Sequence, residues 1–294
     1  MQKYLPNAII TKQTIKLLFS LKNILAALAF VVITIIFTIS PPPAVDWHDT
    51  FFPVSKSPLH PYEVKTFINI PWVVFVLYPF HYVSEELSLA INASLNFIVI
   101  GALIIRRKGN FLSLFLTFTS LPFIALIING AVEWIPAFGF VLQNGLGLSL
   151  VLIKPQTGIL GIFSWFSKAK NKLLFLLPAI LVIVFSFAIW GNWPEAMTLN
   201  YQYVQKEFGS SSWNYSLFPW TIPIGLGLIF YVIKYKPVDS ELLGTLATLC
   251  LVPYFALHSL IIFIALLNAS HYRIAALLWC SSWLILIIIQ VIRT

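Results

Sequence analysis

Charged side chains are scarce: Asp, Glu, Lys and Arg make up 10% of the 294 residues. A soluble domain carries about a quarter, so a solvated globular fold is excluded. Short segments of alternating hydrophobicity, the signature of a membrane β-barrel, are absent. Cysteine occurs only as Cys250 and Cys280. Both lie in apolar stretches where a thiol acts as a small hydrophobe, which leaves no basis for a disulfide framework or a metal site. There is no Walker-type loop, no Gly-x-Gly-x-x-Gly and no Cys/His metal spacing, so a nucleotide-driven pump or a nucleotide-sugar enzyme has no visible site. A small-x-small cleavage site is also missing. The apolar run from Ile24 to Ile39 leads straight into Ser40-Pro41-Pro42-Pro43, and it reads as an uncleaved first span.

What is present is apolar: 59% of the residues are hydrophobic and 16% aromatic. Several runs reach the roughly 20 residues a helix needs to cross the hydrocarbon. Backbone polar groups cannot be left bare in lipid, so the expected fold is an all-α polytopic transmembrane bundle. It should hold about 9 to 11 membrane helices, short or broken ones included, in a single domain over residues 1–294. The net charge is +8, but its distribution argues against a nucleic-acid partner. The bases cluster at span ends: Lys3, Lys12, Lys16 and Lys22; Arg106, Arg107 and Lys108; Lys168, Lys170 and Lys172; Lys234 and Lys236. That is the positive-inside pattern, which predicts a multi-pass plasma-membrane protein with a cytoplasmic N-terminus and contacts to anionic lipid heads.

In chain order, a first span from Ile15 or Leu21 to Ile39 is ended by the three prolines. An external loop follows over about residues 41–69, long enough to be functional. A short apolar run, 70–80, is expected as a tilted or re-entrant helix, followed by spans over 87–105 and 111–128. Between 131 and 167 the apolar pieces are short. Gln143-Asn144-Gly145 reads as an inner turn and Lys154-Pro155-Gln156 as an outer one, while a single span over 131–153 would put Lys154 inside. Further spans run over 173–190, 220–233, 242–253, 260–267 and 274–291, with a second external loop at about 191–216. These two loops hold Asp46, Asp49, Glu63, Glu195 and Glu207.

The most polar cluster is Asp46-Trp47-His48-Asp49. Either aspartate could act as a general base towards a hydroxyl, and His48 could share the role. Solvated loop acids are the alternative. Lys154, between apolar helix pieces, is costly to bury unless paired and could stabilise charge developing on a leaving phosphate. Snorkelling to the headgroups is the other possibility. Glu133 and His258 each lie at an expected outer break, while His271 and Arg273 fall at the opposite side.

Asp46-Trp47-His48-Asp49 with Phe51 and Pro53, then Pro61-Tyr62-Glu63 and Asn69-Ile70-Pro71-Trp72 with Pro79, resembles the opening of the family 87 glycosyltransferases, which have the C-type (GT-C) membrane fold. Gly130-Ala131-Val132-Glu133-Trp134 is similar to that family's Gly-Gln segment. Lys154-Pro155-Gln156 is similar to its Lys-Pro-Gln signature, and Pro253-Tyr254 through His258-Ser259 to its late Pro-Tyr break. The resemblance implies transfer of a hexose, mannose-like, from a polyprenyl-phosphate donor to a lipid or glycan acceptor on the extracytoplasmic face. By position it implies Asp46 as first choice for base and Asp49 as second, with Lys154 near the donor phosphate. His48, Tyr62, Trp72, Glu133, Gln156, Tyr254 and His258 would then line the substrate site. Neither a cofactor nor a divalent cation is implied. A transporter or flippase of lipid-linked sugar and a non-catalytic membrane subunit are the competing functional classes.

Overall fold

The computed structural model describes residues 21–208 and 214–293, and among them it is all-helical, with no strand. Residues 1–20, with Lys3, Lys12, Lys16 and the proposed cytoplasmic N-terminus, lie outside the described residues. The first helix, α1 (Leu21–Ile39), stops where the three prolines begin. After two short helices, α2 (Phe52–Lys56) and α3 (Val73–Leu77), comes the long axial helix α4 (Glu85–Arg106). Ser84 caps α4 by accepting from the Leu87 N–H, and Glu85 and Glu86 fill its first turn, where carboxylates suit the dipole. At 22 residues it is about 33 Å long. It packs along α1, with a 2.7 Å hydrogen bond between Thr34 and Ser94 hydroxyls.

The span expected over 111–128 is broken. Helix α5 (Phe111–Phe118) and helix α6 (Leu121–Asn129) meet at 55°. Ser120 interrupts them because its hydroxyl caps the Phe123 N–H, and Pro122 occupies the first turn of the second piece, the position a helix start tolerates. Next, α7 (Trp134–Leu142) and α8 (Gly145–Val151) form a helical hairpin around Gln143 and Asn144. The single span over 131–153 is thereby overturned. Asn144 caps the returning helix through the Gly147 N–H at 3.0 Å. Close crossing depends on two glycines: a Cβ on Gly139 would lie 2.5 Å from the Gly147 carbonyl oxygen, and one on Gly147 2.6 Å from that of Gly139.

The rest of the chain comprises α9 (Phe163–Lys168), α10 (Lys172–Trp190), α11 (Trp193–Phe208), α12 (Ile222–Tyr235), α13 (Ser240–Leu251), α14 (Ile261–Ser270) and α15 (Tyr272–Arg293). Among the described residues two helices, α4 and α10, are long and apolar enough to cross a membrane, and the bent α5–α6 pair makes a third if it is one span.

Both segments expected as external loops contain helix. Residues 191–216 contain the four-turn helix α11. The 41–69 segment forms a packed cap with a π-helical turn at Trp47–Phe51, the helix α2 and a 3-10 turn at Pro61–Glu63. Trp47, Phe51, Phe52, Val54 and Phe67 bury themselves there with Trp72, Leu77 and Ile153. Aromatic burial is worth more than loop solvation, so this stretch turns inward. A second apolar core lies around α4, α6, α7 and α14.

Gly139→Ala should therefore lower stability by about 1–3 kcal/mol through overpacking. Gly227→Ala, whose Cβ meets nothing within 4 Å, should leave it unchanged or slightly raised. Thermal unfolding of the purified variants in detergent checks both.

Candidate functional site

The site is built on the turn between α6 and α7. Helix α6 ends at Gly130, which adopts a left-handed φ of +67°. A Cβ there would sit 2.8 Å from the Cβ of Trp47 and 2.9 Å from that of Ala44, so only glycine lets the Asp46 segment close onto this turn. The Ala44 N–H completes the junction by donating to the Ile128 carbonyl at 2.8 Å.

Two asparagines one helical turn apart on α4 hold the turn in place. The Asn92 amide donates to the Gly130 and Ala131 carbonyls at 3.1 and 3.3 Å, and that of Asn96 to the Ala131 carbonyl at 2.9 Å. In return, the Trp134 backbone N–H donates to Asn96 Oδ1 and its indole to Asn92 Oδ1. These backbone groups would otherwise be buried unpaired, at about 1–3 kcal/mol each. Asn92 and Asn96 also fix the depth of the site, about 10 to 16 Å along α4 from its N-terminus.

Glu133 follows this turn with no exposed surface. Its Oε1 accepts from Lys154 Nζ at 2.8 Å, and His258 Nε2 lies 3.4 Å from the same oxygen. Oε2 has no partner among the described residues. Lys154 is 5% exposed and His258 8%. The α8 helix delivers Lys154 as it ends, and the Lys154 ammonium lies 5.5 Å from the Phe51 ring centroid, over its face. The 3-10 turn Leu257–Leu260 brings His258.

Asp46 opens the π-helical turn and is half-buried beside this group. Burial pushes its carboxyl above the ordinary value of 3.8. The cations His258 and Lys154 oppose that rise, while the negative charges of Glu133 and Asp49 add to it. Tyr254 flanks Asp46. Its ring centroid is 6.4 Å from that of Tyr201 on α11, and burial raises its hydroxyl above the ordinary value, with the charge of Asp46 adding to the rise. The four groups Asp46, Glu133, Lys154 and His258 come from four separate parts of the chain.

No family model, no curated protein and no solved structure matches this chain.

Several other residues expected in the site lie elsewhere or serve the fold. Asp49 and His48 are exposed: His48 Nδ1 pairs with Glu85 Oε1 at 2.6 Å, and the Asp49 backbone carbonyl accepts from the Thr66 hydroxyl. The Tyr62 hydroxyl donates to the Asn69 carbonyl at 2.9 Å, and the Trp72 indole to that of Ser149 at 3.1 Å. Both are structural braces. Gln156 is half-buried in the 3-10 turn after Lys154. The residues missed by sequence reasoning are Asn92 and Asn96. Their signal was two amides at i, i+4 spacing inside an apolar span, where polar groups need partners. At the opposite end of α4, Arg107 pairs with Glu241, and Gln143 and Trp165 join them.

Glu133→Gln would leave the buried Lys154 ammonium without its carboxylate and should destabilise the protein by about 3–5 kcal/mol. The double variant Glu133→Gln/Lys154→Met should recover much of that loss. Chemical or thermal denaturation of the two variants decides; a single variant as stable as the parent would show that the pair is not sustaining the fold.

Proposed function

We propose that this protein is a multi-pass plasma-membrane glycosyltransferase of the polyprenyl-phosphate-sugar-dependent type. On this reading the site faces the extracytoplasmic side, since the basic clusters lie at the other end of α4. The observation that carries the proposal is the meeting of Asp46, from the cap, with Lys154, Glu133 and His258. An acid held above its usual range thus stands beside a buried cationic group, at the edge of an apolar helical body.

In the proposed reaction the Asp46 carboxylate takes the proton of an acceptor hydroxyl as its oxygen attacks the anomeric carbon. The bond from that carbon to the phosphate oxygen breaks, the anomeric configuration inverts, and polyprenyl phosphate leaves. Burial serves the base, because general-base efficiency is greatest when the pKa approaches the working pH. An ammonium has three donors, and Glu133 Oε1 occupies one of those on Lys154, leaving two for phosphate oxygens. Those donors, aimed at the phosphate oxygens, favour the leaving dianion. The unpartnered Oε2 of Glu133 is suited to accept from a sugar hydroxyl. Tyr254 and Tyr201 supply apolar faces at the mouth, where a hexose can stack.

A carrier that moves lipid-linked sugar without bond chemistry would use the same group, since ionisable residues at this depth also mark transport paths. The two readings separate in one experiment: the protein in liposomes with a polyprenyl-phosphate hexose, assayed for glycoside formation and for transbilayer movement of donor. Movement without product would replace the enzyme by the carrier.

Asp46→Asn should lower the transfer rate by about 100-fold or more. Asp49→Asn, altering an exposed side chain, should stay within a few-fold of the parent. Equal rates for Asp46→Asn and parent would remove the base. The rate should also fall on acidification at a pH above the ordinary carboxylate range, because the base must be deprotonated and its pKa is raised. A pH profile of kcat/KM measures that limb, which Asp46→Asn should abolish.

A further inference from the structure

The opposite, basic end of the molecule contains a cavity that the transfer reaction does not use. About 280 Å³ of space lies between the α7–α8 turn, α9 and the start of α10, lined by Gln143, Asn144, Trp165, Lys168, Ala169 and Phe175. Beside it α8 approaches α10 closely, since a Cβ on Gly145 would sit 2.4 Å from the Phe175 carbonyl oxygen. The α9–α10 link is stapled by the Lys172 ammonium, which donates to the Phe166 and Ser167 carbonyls.

The charge around it is one-sided. Lys168, Lys170 and Lys172 are exposed and form no ion pair with an acid among the described residues. The acids of this end are already engaged: Glu241 by Arg107 and Trp165, and Asp239 by His271 at 2.9 Å. From the rim, α10 runs away with an open apolar flank, Leu173, Leu174, Leu177, Ile180 and Leu181 being 39–67% exposed. Head-sized space and unpaired ammonium groups thus lie at the start of α10, a helix with a long exposed apolar flank.

We propose that this cavity binds the headgroup of an anionic phospholipid, with the acyl chains lying along α10. The phosphate sits against Lys168 and Lys170, and Trp165 and Phe175 cover the glycerol. Basic pockets between helices are suited to such headgroups. A small free anion would use the lysines and gain nothing from the flank, so the lipid is the better fit. The site is independent of the transfer chemistry at the other end.

The test is thermal unfolding of the full chain in a neutral detergent, with phosphatidylglycerol, phosphatidylcholine or glycerol 3-phosphate added. Phosphatidylglycerol should raise the midpoint by about 2 °C or more, and the other two should not. Lys168→Ala/Lys170→Ala should keep the parent midpoint in detergent alone and lose most of the phosphatidylglycerol shift. Lys234→Ala/Lys236→Ala, removing two exposed lysines away from the cavity, should retain that shift. No shift in the parent, an equal shift with glycerol 3-phosphate, or equal losses in the two double variants would each overturn the proposal.

Discussion

The ion pair between Lys154 and Glu133 constrains everything around it. A carboxylate with no exposed surface and an ammonium with almost none each give up hydration worth several kcal/mol. That loss is offset only while the two stay within hydrogen-bonding distance. Holding them there requires the hairpin of α7 and α8 to leave from Glu133 and return at Lys154. It also requires the turn before Glu133 to be fixed from α4. The two glycines of the hairpin and the two asparagines of α4 meet these requirements. His258 at the same carboxylate oxygen then ties in the turn before α14.

The axial helix gives the molecule two distinct polar ends. One gathers the cap, Asp46 and the buried ionic group; the other gathers Arg107, Glu241 and the lysine-rimmed cavity. Their chemistry differs because their burial differs. At the first end charges are enclosed and compensated within the protein, so their protonation is tied to one another. At the second the lysines face outward and remain uncompensated, which suits a ligand brought by the surroundings.

Folding of the 41–69 segment links the fold to the proposed chemistry. Trp47 is completely buried and its indole donates to Ser88 on α4 at 3.1 Å, which pins the π-helical turn. Asp46 is thereby held beside Lys154 and His258, while three positions further on Asp49 has swung out to solvent. On α11, Asn200 donates to the carbonyls of Tyr62, Val64 and Phe67. The cap is thus braced from outside as well as from within.

Much of the helical framework was legible in the residues themselves. Apolar run length located α4 and α10, the prolines ended α1, and Gln143-Asn144-Gly145 marked the hairpin turn. Each of these is a local effect of backbone geometry, capping or transfer to lipid. The lysine at the hairpin's return was visible as a costly residue in need of a partner, but the partner's identity was not. Local pattern marked 41–69 and 191–216 as external loops but did not reveal the helix they contain, because aromatics such as Trp47 and Phe67 bury against segments far away in the chain. It also left Asp46 and Asp49 as competing candidates, since both stand in one polar run. Only the tertiary structure separated them and brought Asp46, Glu133, Lys154 and His258 together. Those contacts join residues far apart in the chain, and their energy comes from excluding water around them, which no local stretch of sequence encodes.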